Sequence, residues 1–354
     1  MEVHGAAGHS GFVRDLVERS ARVPSALEHL GCTADDSGPR LQRPLLRRLG
    51  PGAHLMSIVA DGRREATRPT GAKRVAVTGS TGFIGRHVVS ALRARGIESM
   101  ALDHATFDDE GRRRRAFEGV DAVVHCVSAV SGSSAAIRAA NVDATRVLVR
   151  SSRAAGVDRV IAVSTAAVTG IGPHRGASGT ATPHTSSPVS RARAKGEQIL
   201  AEAGAIIVRP NIVWGAGDRW AVPTIARIAA GSNDETSTWQ AVVSAVGVRD
   251  LAEGLVGIAA SAHATPIGPL VLHADAPTPI PVSAIVEWVR EHVLTSAEPR
   301  GPLPRLSDHQ RSMLEVDNWF DGSAFWRAAG VPAPEPFQPL PTDAEWYRDH
   351  ILTT

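Results

Sequence analysis

Short apolar runs alternate with amphipathic segments along the middle of the chain. The apolar runs predict buried strands at residues 74–78, 99–103, 121–125, 159–164 and 205–209. The segments between them have helical periodicity and predict helices at residues 84–95, 112–118, 135–155 and 189–203. Strands that alternate with helices form a parallel sheet with helices on both faces. We therefore predict a doubly wound α/β sheet.

The regular alternation ends after Pro210. Apolar helical patterns continue, separated by proline-rich connections, at residues 222–230, 251–260 and 282–293. Sheets of this kind bind ligands outside the carboxyl ends of their strands. We expect residues 73–210 to form the core, and residues 211–354 to form mainly a smaller substrate-binding lobe, with elements that return to the core.

Residues 1–72 differ from the rest of the chain because glycine, proline and arginine dominate them. We predict a mobile N-terminal extension for this segment. Met56 lies inside it and is an alternative start of the natural protein.

Composition excludes several classes of protein. The 354 residues are 43% hydrophobic, and the formal net charge is only +2, which does not favour nucleic-acid binding. Two cysteines are too few for a disulfide framework or a zinc site, so no metal is predicted. Neither a signal peptide nor an apolar run of about 20 residues occurs. We expect a cytoplasmic protein that acts on a small molecule, without a membrane or nucleic-acid partner.

The first strand leads directly into a glycine-rich loop that is followed by a helix. The loop residues that would approach a dinucleotide are Gly79, Thr81, Gly82, Phe83, Ile84 and Gly85. The first glycine permits a tight turn, the second admits a pyrophosphate, and the third lets the helix pack closely on the strand. The loop therefore predicts a Rossmann-type dinucleotide-binding fold.

An acidic residue after the second strand predicts which dinucleotide is bound. Asp103 lies 18 residues after Gly85, where a carboxylate accepts hydrogen bonds from the adenosine ribose and repels a 2′-phosphate. NAD is therefore favoured over NADP. Arg86 and the arginines at residues 112–115 argue for NADP, although we interpret that run as a solvated helix face. Asp108 is a candidate contact for the adenine amino group.

Several motifs occur in the same order as in a known family. They are TGSTGFIG, VVHCVSA, the pair Asn141-Val142, VIAVSTAAVTG, SPVSRARAKGEQIL, VRPNIVWGAGD and VRDLAEGL. From Lys73 to about Gly330 the chain resembles the extended short-chain dehydrogenase/reductase family of NAD-dependent epimerases, dehydratases and ketoreductases. Its C-terminal part loosely resembles deoxysugar 4-ketoreductases. The resemblance implies cofactor contacts at Val127 and Ser128, and a homodimer formed through the helices at 135–155 and 189–203.

The catalytic pair of this family is replaced. Its members use a tyrosine, and a lysine four residues later, to exchange a proton with the substrate, while a serine or threonine positions the substrate oxygen. Thr165 matches the last of these, but Val189 stands at the tyrosine position and Arg193 at the lysine position. Another register assigns Arg191 and Lys195 to the pair. Neither register contains a tyrosine, because the only one in the chain is Tyr347.

Other residues are candidates for the missing roles. Arg193 can hold the nicotinamide ribose, or it can form a helical salt bridge with Glu197. His174 and His184 lie in the connection after the strand at 159–164, where each is either a substitute acid or an exposed loop residue. The candidate substrate contacts are Arg209, Asn211 and Trp214, with Trp220 and Trp239 beside the cleft; the alternatives are a structural salt bridge for Arg209 and core packing for at least one tryptophan.

These observations lead to three functional hypotheses. The first is a tailoring enzyme of bacterial specialised metabolism that binds NAD and catalyses an isomerase-, dehydratase- or cyclase-like step on a carbonyl-containing substrate. Thr165 and Arg193 would stabilise a developing oxyanion in that step. The second is a sugar-nucleotide ketoreductase or epimerase with a substitute proton donor. The third is a catalytically silent, NAD-sensing binding protein.

Overall fold

The computed structural model describes residues 72–179, 183–185, 187–231, 239–262, 270–294 and 314–351. The predicted N-terminal extension, apart from Ala72, lies outside these residues. No helix in the described part of the chain is long and apolar enough to cross a membrane.

Six parallel strands form the main sheet in the order β10-β6-β4-β3-β1-β2. The strands are β1 (Arg74–Thr78), β2 (Glu98–Leu102), β3 (Ala122–His125), β4 (Val160–Val163), β6 (Ile206–Arg209) and β10 (Leu270–His273). The first five match the predicted strands to within one or two residues at each end. The predicted doubly wound parallel sheet is therefore confirmed.

Helices cover both faces of this sheet. One face packs against α1 (Phe83–Ala94), α8 (Val248–Ala260) and α10 (Ser323–Ala329). The other face packs against α2 (His104–Asp108), α3 (Glu110–Phe117), α5 (Ala144–Ala154) and α6 (Pro188–Glu202). Alternate strand residues point to opposite faces, so buried valine and isoleucine side chains divide between the two cores. The carboxyl ends of β1, β3 and β4 lie at the same edge of the sheet.

The helix predicted at residues 135–155 is wrong as a single element. It consists of α4 (Ser134–Arg138), a π-helical segment (Ala139–Asp143) and α5. Asn141 donates hydrogen bonds from Nδ2 to the carbonyl oxygens of Ala129 and Ile137. Its own carbonyl faces α6, where a Cβ at Gly196 would lie 2.4 Å from the Asn141 oxygen. No glycine or proline marks this interruption, so the sequence pattern does not reveal it.

The C-terminal half contains a second core around two small sheets. The four-stranded sheet is β11-β8-β12-β5 and the two-stranded sheet is β7-β9, with strands β5 (His174–Ala177), β7 (Ile212–Trp214), β8 (Val242–Val243), β9 (Ala245–Gly247), β11 (Ile280–Pro281) and β12 (Asn318–Phe320). Their helices are α7 (Ala221–Gly231), α9 (Val282–His292) and α11 (Pro341–Ile351). Buried residues of α7, α9 and α11 form this core.

Candidate functional site

The glycine-rich loop has the geometry of a dinucleotide cradle. Gly79 has φ +69°, and a Cβ there would lie 3.0 Å from the backbone of Cys126 and of Val127. A Cβ at Gly85 would lie 2.1 Å from the Gly79 carbonyl oxygen, so only glycine lets α1 start against the turn. No side chain caps α1, and its first turn contains no acidic residue. Its terminal N–H groups therefore suit a diphosphate.

The other predicted cofactor residues lie around this cradle. Thr81 and Gly82 are exposed, Phe83 and Ile84 are half-buried in the first turn of α1, and Val127 and Ser128 follow β3 beside Gly79. The structure thus brings all six together at the carboxyl ends of β1 and β3.

Asp103 follows β2 at the same edge of the sheet. Its Oδ1 accepts a hydrogen bond of 2.8 Å from the Thr106 backbone N–H, which caps α2. The hydrogen bonds from Thr106 and the charge of Arg112 lower the pKa of this exposed carboxyl. Asp103 is therefore ionised at neutral pH and suits ribose hydroxyl groups. Asp108 is exposed, and its Oδ2 lies 2.8 Å from Nδ1 of the exposed His104.

Thr165 begins the turn that follows β4. Its Oγ1 accepts a hydrogen bond of 3.2 Å from the Ala167 backbone N–H and caps a 3₁₀ turn, Ala166–Thr169. Because the oxygen accepts this bond, the hydroxyl hydrogen is the part that can be donated to a ligand. The side chain is half-buried. It therefore matches a residue that positions a substrate oxygen.

Helix α6 has the expected cap at its start, but it lacks a tyrosine with a lysine four residues later. Ser187 and Ser190 form a reciprocal capping box around Pro188. Val189 is half-buried and has no proton to exchange. Arg193, one helical turn later, donates from Nη2 to the carbonyl oxygen of Val163, at 3.2 Å. Burial lowers the pKa of Arg193 to about 10, so the guanidinium is charged at neutral pH.

Tyr347 does not take the place of a tyrosine on α6. Its ring is fully buried in α11, and its hydroxyl donates to Asp218 Oδ2 at 3.1 Å and accepts from the Gly215 backbone N–H at 2.8 Å. Burial, followed by the charge of Asp218, raises the pKa of this phenol far above its usual value. The chain's single tyrosine is therefore a structural residue of the second core.

Arg209 and Asn211 make structural contacts that do not fit the predicted contacts with substrate. Arg209 is buried and forms a two-bond ion pair with Glu197, with distances of 2.6 and 3.0 Å. Glu197 therefore pairs with Arg209, and the alternative pairing with Arg193 is not formed. Asn211 Nδ2 donates to the carbonyl oxygens of Ser244 and Asn318, at 3.2 and 2.9 Å. These bonds tie the end of β6 to the small sheets.

The three tryptophans have different environments. Trp214 is buried and contacts Phe337 edge-on in the second core, so the predicted substrate contact does not fit its position. Trp239 packs against the same core and is partly buried. Trp220 is 55% exposed at the start of α7 and is the tryptophan that can meet a ligand.

The two candidate histidines are also separated by their surroundings. His174 lies in strand β5, with its ring 5.4 Å from that of Phe320, so its expected place in an exposed loop is wrong. His184 is exposed, and its backbone N–H donates to the carbonyl oxygen of Val168 at 2.9 Å. It is thus next to the 3₁₀ turn that Thr165 begins.

A buried carboxyl group in this region was not predicted from the sequence. Asp275 follows β10, and its Oδ1 accepts a hydrogen bond of 2.9 Å from the Asn211 backbone N–H. Its Oδ2 is buried without a hydrogen-bond partner among the described groups, and burial raises the pKa of Asp275 to about 7. The surrounding sequence, a proline-rich connection, contains no signal that an aspartate is buried there.

The described residues contain no cluster of histidine, cysteine, aspartate and glutamate that could hold a metal ion. A family model, the NAD dependent epimerase/dehydratase family, matches residues 75–268. The chain belongs to this family. Membership agrees with the resemblance of the ordered motifs and with NAD as the predicted cofactor, and the match covers the glycine loop, β4 and α6.

Two relatives of known activity are similar over part of the chain. A 4-hydroxy-2-methyl-3-oxo-4-farnesyl-3,4-dihydroquinoline-1-oxide ketoreductase of Stigmatella aurantiaca is 28% identical over 188 residues, which are 43% of this chain and 54% of the relative. A 2-alkyl-3-oxoalkanoate reductase of Stenotrophomonas maltophilia is 27% identical over 183 residues, 44% of this chain and 56% of the relative. The match spans about half the length of each relative.

Solved structures of the same fold cover more of the chain. A double mutant of the dTDP-glucose 4,6-dehydratase DesIV of Streptomyces venezuelae, solved with NAD, has a TM-score of 0.60 at 19% identity, covering 78% of this chain and 97% of its own. The UDP-glucose 4-epimerase of Brucella ovis, in complex with NAD, has a TM-score of 0.61 at 17% identity, covering 79% and 98%. At these identities the likeness establishes the fold alone.

Proposed function

We propose that this protein binds NAD and acts on a carbonyl-containing substrate in a step that does not use a tyrosine as proton donor. Isomerisation, dehydration and cyclisation are steps of this kind. One observation supports the proposal: α6 contains no tyrosine, and the single tyrosine of the chain, Tyr347, is buried in a hydrogen-bonded pair with Asp218. A tailoring step in bacterial specialised metabolism is the biological role that we infer.

The cofactor half of the site supports NAD binding. The N–H groups at the start of α1 and the glycine contacts described above suit the diphosphate, and the ionised Asp103 suits the ribose hydroxyl groups and repels a 2′-phosphate. When bound, the nicotinamide can exchange a hydride with a substrate. The protein's contribution is to bind and orient it.

Thr165 and Arg193 are the residues that we assign to the substrate carbonyl. The Thr165 hydroxyl can donate a hydrogen bond to a developing oxyanion. Arg193 places a fixed positive charge against Val163, two residues before Thr165. Arginine remains protonated near neutral pH, so it stabilises negative charge without exchanging a proton.

An apolar substrate fits the exposed surface and the names of the relatives. Val130, Ile171 and Trp220 are large hydrophobic residues that are 44–55% exposed, and they lie in loops after β3, β4 and β7. Loops after strand ends surround the ligand in sheets of this type. The two relatives above are named for ketones with farnesyl or alkyl groups. We therefore propose a hydrophobic ketone as the substrate class.

Calorimetric titration with NAD, NADH and NADP tests the first part of this proposal. We expect NAD binding, and Gly85→Ala should weaken it, because the new Cβ would lie 2.1 Å from the Gly79 carbonyl oxygen and must displace the turn that suits the diphosphate. Gly111→Ala is the matched control, since the nearest atom to its new Cβ is 3.4 Å away. The absence of any dinucleotide binding would contradict the proposal.

Product analysis tests the second part. The protein with NAD should convert a 2-alkyl-3-oxoalkanoate to an isomer, or a related ketone that carries a β-hydroxyl group to the unsaturated ketone, with loss of that hydroxyl as water. Accumulation of an alcohol with stoichiometric consumption of NADH, on such a ketone or on a 4-keto sugar nucleotide, would instead show an ordinary ketoreductase.

A ketoreductase or epimerase with a substitute donor is the second candidate function. It is favoured by the position of His184, whose backbone is bonded to the 3₁₀ turn that begins at Thr165. In that case His184→Ala should abolish turnover while the melting temperature stays unchanged. An unaffected rate would exclude His184 as the proton donor.

A further inference from the structure

A single peptide group between β6 and β7 joins a buried carboxyl group to the turn that Thr165 begins. The peptide links Pro210 and Asn211. Its N–H donates to Asp275 Oδ1 at 2.9 Å, and its carbonyl oxygen accepts from the Ala166 backbone N–H, also at 2.9 Å. Because a peptide group is planar, the two hydrogen bonds cannot change direction independently. The orientation of the Asp275 carboxyl group therefore affects the start of the turn.

The Ala166 N–H is a group that the 3₁₀ turn cannot satisfy by itself. The first N–H groups of a helical turn have no carbonyl partner within it. Here the Ala167 N–H donates to Thr165 Oγ1, and the Ala166 N–H donates to the Pro210 carbonyl oxygen. The bond to Pro210 thus fixes the backbone directly after Thr165, and with it the place of the Thr165 hydroxyl group.

The backbone around Asp275 is held by three other segments. The N–H groups of its two neighbours in sequence donate to the carbonyl oxygens of Arg209 and Ala245, at 3.3 and 3.1 Å. The Asp275 carbonyl oxygen accepts a hydrogen bond of 2.7 Å from Trp326 Nε1, and a Cβ at Gly322 would lie 2.2 Å from it. The residue is fully buried. A carboxyl group on so fixed a backbone can hold a peptide in one orientation.

We propose that Asp275 is a positioning residue for the Thr165 turn, because its carboxyl group orients the Pro210–Asn211 peptide that holds the Ala166 N–H. Hydrogen bonds in such a chain polarise one another, so the bond at Asn211 also strengthens the Pro210 carbonyl oxygen as an acceptor. The inference rests on the proposed role of Thr165 at the substrate carbonyl. Asp275 itself acts only through the backbone and does not contact the substrate.

Hydrogen exchange of single backbone amides tests this connection on the full chain without a substrate. Asp275→Leu removes the acceptor but keeps a side chain of similar shape, and should accelerate exchange at Asn211 and Ala166 by about tenfold. The internal control is the Ser164 N–H, which donates to the Val208 carbonyl oxygen at 2.7 Å and should keep its rate. Asp275→Asn retains an acceptor oxygen and should restore the native rates.

Two results of the exchange experiment would overturn the proposal. Faster exchange at Asn211 alone would mean that the peptide does not transmit the change to the turn. Equal acceleration at Ala166 and Ser164 would mean that Asp275 supports the whole sheet and not the turn in particular.

A pH titration of the native protein followed by NMR tests the same connection if Asp275→Leu does not fold. Burial raises the pKa of Asp275 to about 7, whereas burial lowers that of the nearby His273 to about 4. The amide proton shifts of Asn211 and Ala166 should therefore change with one common midpoint near neutral pH. This transition should disappear in Asp275→Asn. A titration at Asn211 that is absent at Ala166 would refute the proposal.

Activity measurements distinguish this inference from the proposed function. On a ketone that the protein converts, Asp275→Leu should lower kcat by about 10- to 100-fold through misplacement of Thr165, leave the Kd for NAD unchanged, and be rescued by Asp275→Asn. An unchanged kcat would overturn the positioning role. Absence of turnover on every ketone would contradict the proposed function, while the exchange rates at Ala166 would still decide the role of Asp275.

Discussion

The β1–α1 turn and helix α6 stand at the same edge of the main sheet but differ in what they retain. The turn keeps each glycine that a dinucleotide cradle requires, and the start of α1 has no capping side chain. Helix α6 keeps its serine capping box and first-turn proline but contains no tyrosine, and we propose that Val189 and Arg193 stand where the family has its proton-transferring pair. The scaffold and cofactor features are therefore retained in a chain whose α6 lacks the family's tyrosine.

The difference shows that binding and chemistry depend on different parts of the chain. The cradle is made of backbone, so its requirements fall on glycines that cannot be exchanged without a clash. Proton transfer in the family depends on two side chains, and the replacement that we propose for them leaves the capping box of α6 in place. A chain of this family can thus keep its dinucleotide site while its reaction changes, because function is located in the site and not in the fold.

Introducing a tyrosine and a lysine at these two positions should change the activity more than any other variant that we predict. The double variant Val189→Tyr/Arg193→Lys is expected to increase NADH-dependent reduction of a ketone substrate by about 10²- to 10⁴-fold, the usual contribution of a positioned proton donor. Val189 is half-buried, so this position is not closed off from solvent. Steady-state rates of NADH consumption measure the change.

The control for this experiment is Val189→Phe/Arg193→Lys, which adds the ring without the hydroxyl group. It should remain as slow as the native protein. Equal rates for the two double variants would mean that the cleft is not organised for hydride transfer. The site would then differ from that of the family in more than the two side chains on α6.

Two carboxyl groups at this edge of the main sheet have pKa values shifted in opposite directions, which predicts a pH dependence. Asp103, in the cofactor half, is exposed and its pKa is lowered, whereas Asp275 in the other half is buried and its pKa is raised to about 7. An unfolded aspartate has a pKa near 3.9, so the native state binds the Asp275 proton more tightly. Stability contributed by this group is therefore present below pH ~4 and lost as the pH rises toward 7, by up to about 4 kcal/mol.

Asp275→Asn removes this dependence. The variant should be more stable than the native protein at pH 8, and the difference should shrink as the pH falls toward 5, as measured by urea unfolding. Asp317→Asn is the control, because the hydrogen bond from the Val242 N–H and the ion pair with Arg175 lower the pKa of that carboxyl, which is therefore charged at both pH values. It should lose stability at both pH values. A constant difference for Asp275→Asn would show that its carboxyl group is not protonated in the native state.

The sequence predicted five of the six strands of the main sheet and the helices α7 and α9 of the second core, but none of the strands of the small sheets, for a physical reason. Strands of the main sheet are continuous apolar runs because both faces are covered. Strands of the small sheets have two to four residues and exist because distant segments pair, as when β5 pairs with β12. Such short strands carry no periodicity of their own. The strand containing His174 was therefore predicted as a connection.

The residues of the candidate site also differ in whether the sequence predicts their contacts. The glycine loop is predictable because each glycine corresponds to a local backbone requirement. The partner of Glu197 is not, since helical spacing suggests Arg193 whereas the fold brings Arg209 of β6 against it at 2.6 Å. The burial of Asp275 and its connection to the Thr165 turn also arise only when separate elements meet.

The smallest predicted effect concerns which dinucleotide the preserved half selects. Asp103→Asn keeps the side-chain shape and the Oδ1 acceptor for Thr106, but removes the negative charge. Hydrogen bonds to a charged group contribute about 1.5–3 kcal/mol, so NAD affinity should fall by about tenfold or somewhat more, while NADP affinity should rise as the repulsion of its 2′-phosphate is lost. Parallel calorimetric titrations with both dinucleotides measure the ratio, and Asp109→Asn serves as the control, because Asp109 caps α3 through the Arg112 N–H in the same way. An unchanged ratio would mean that the arginines of α3, and not Asp103, determine the preference between NAD and NADP. The choice of dinucleotide would then not follow from the features of the glycine loop and Asp103.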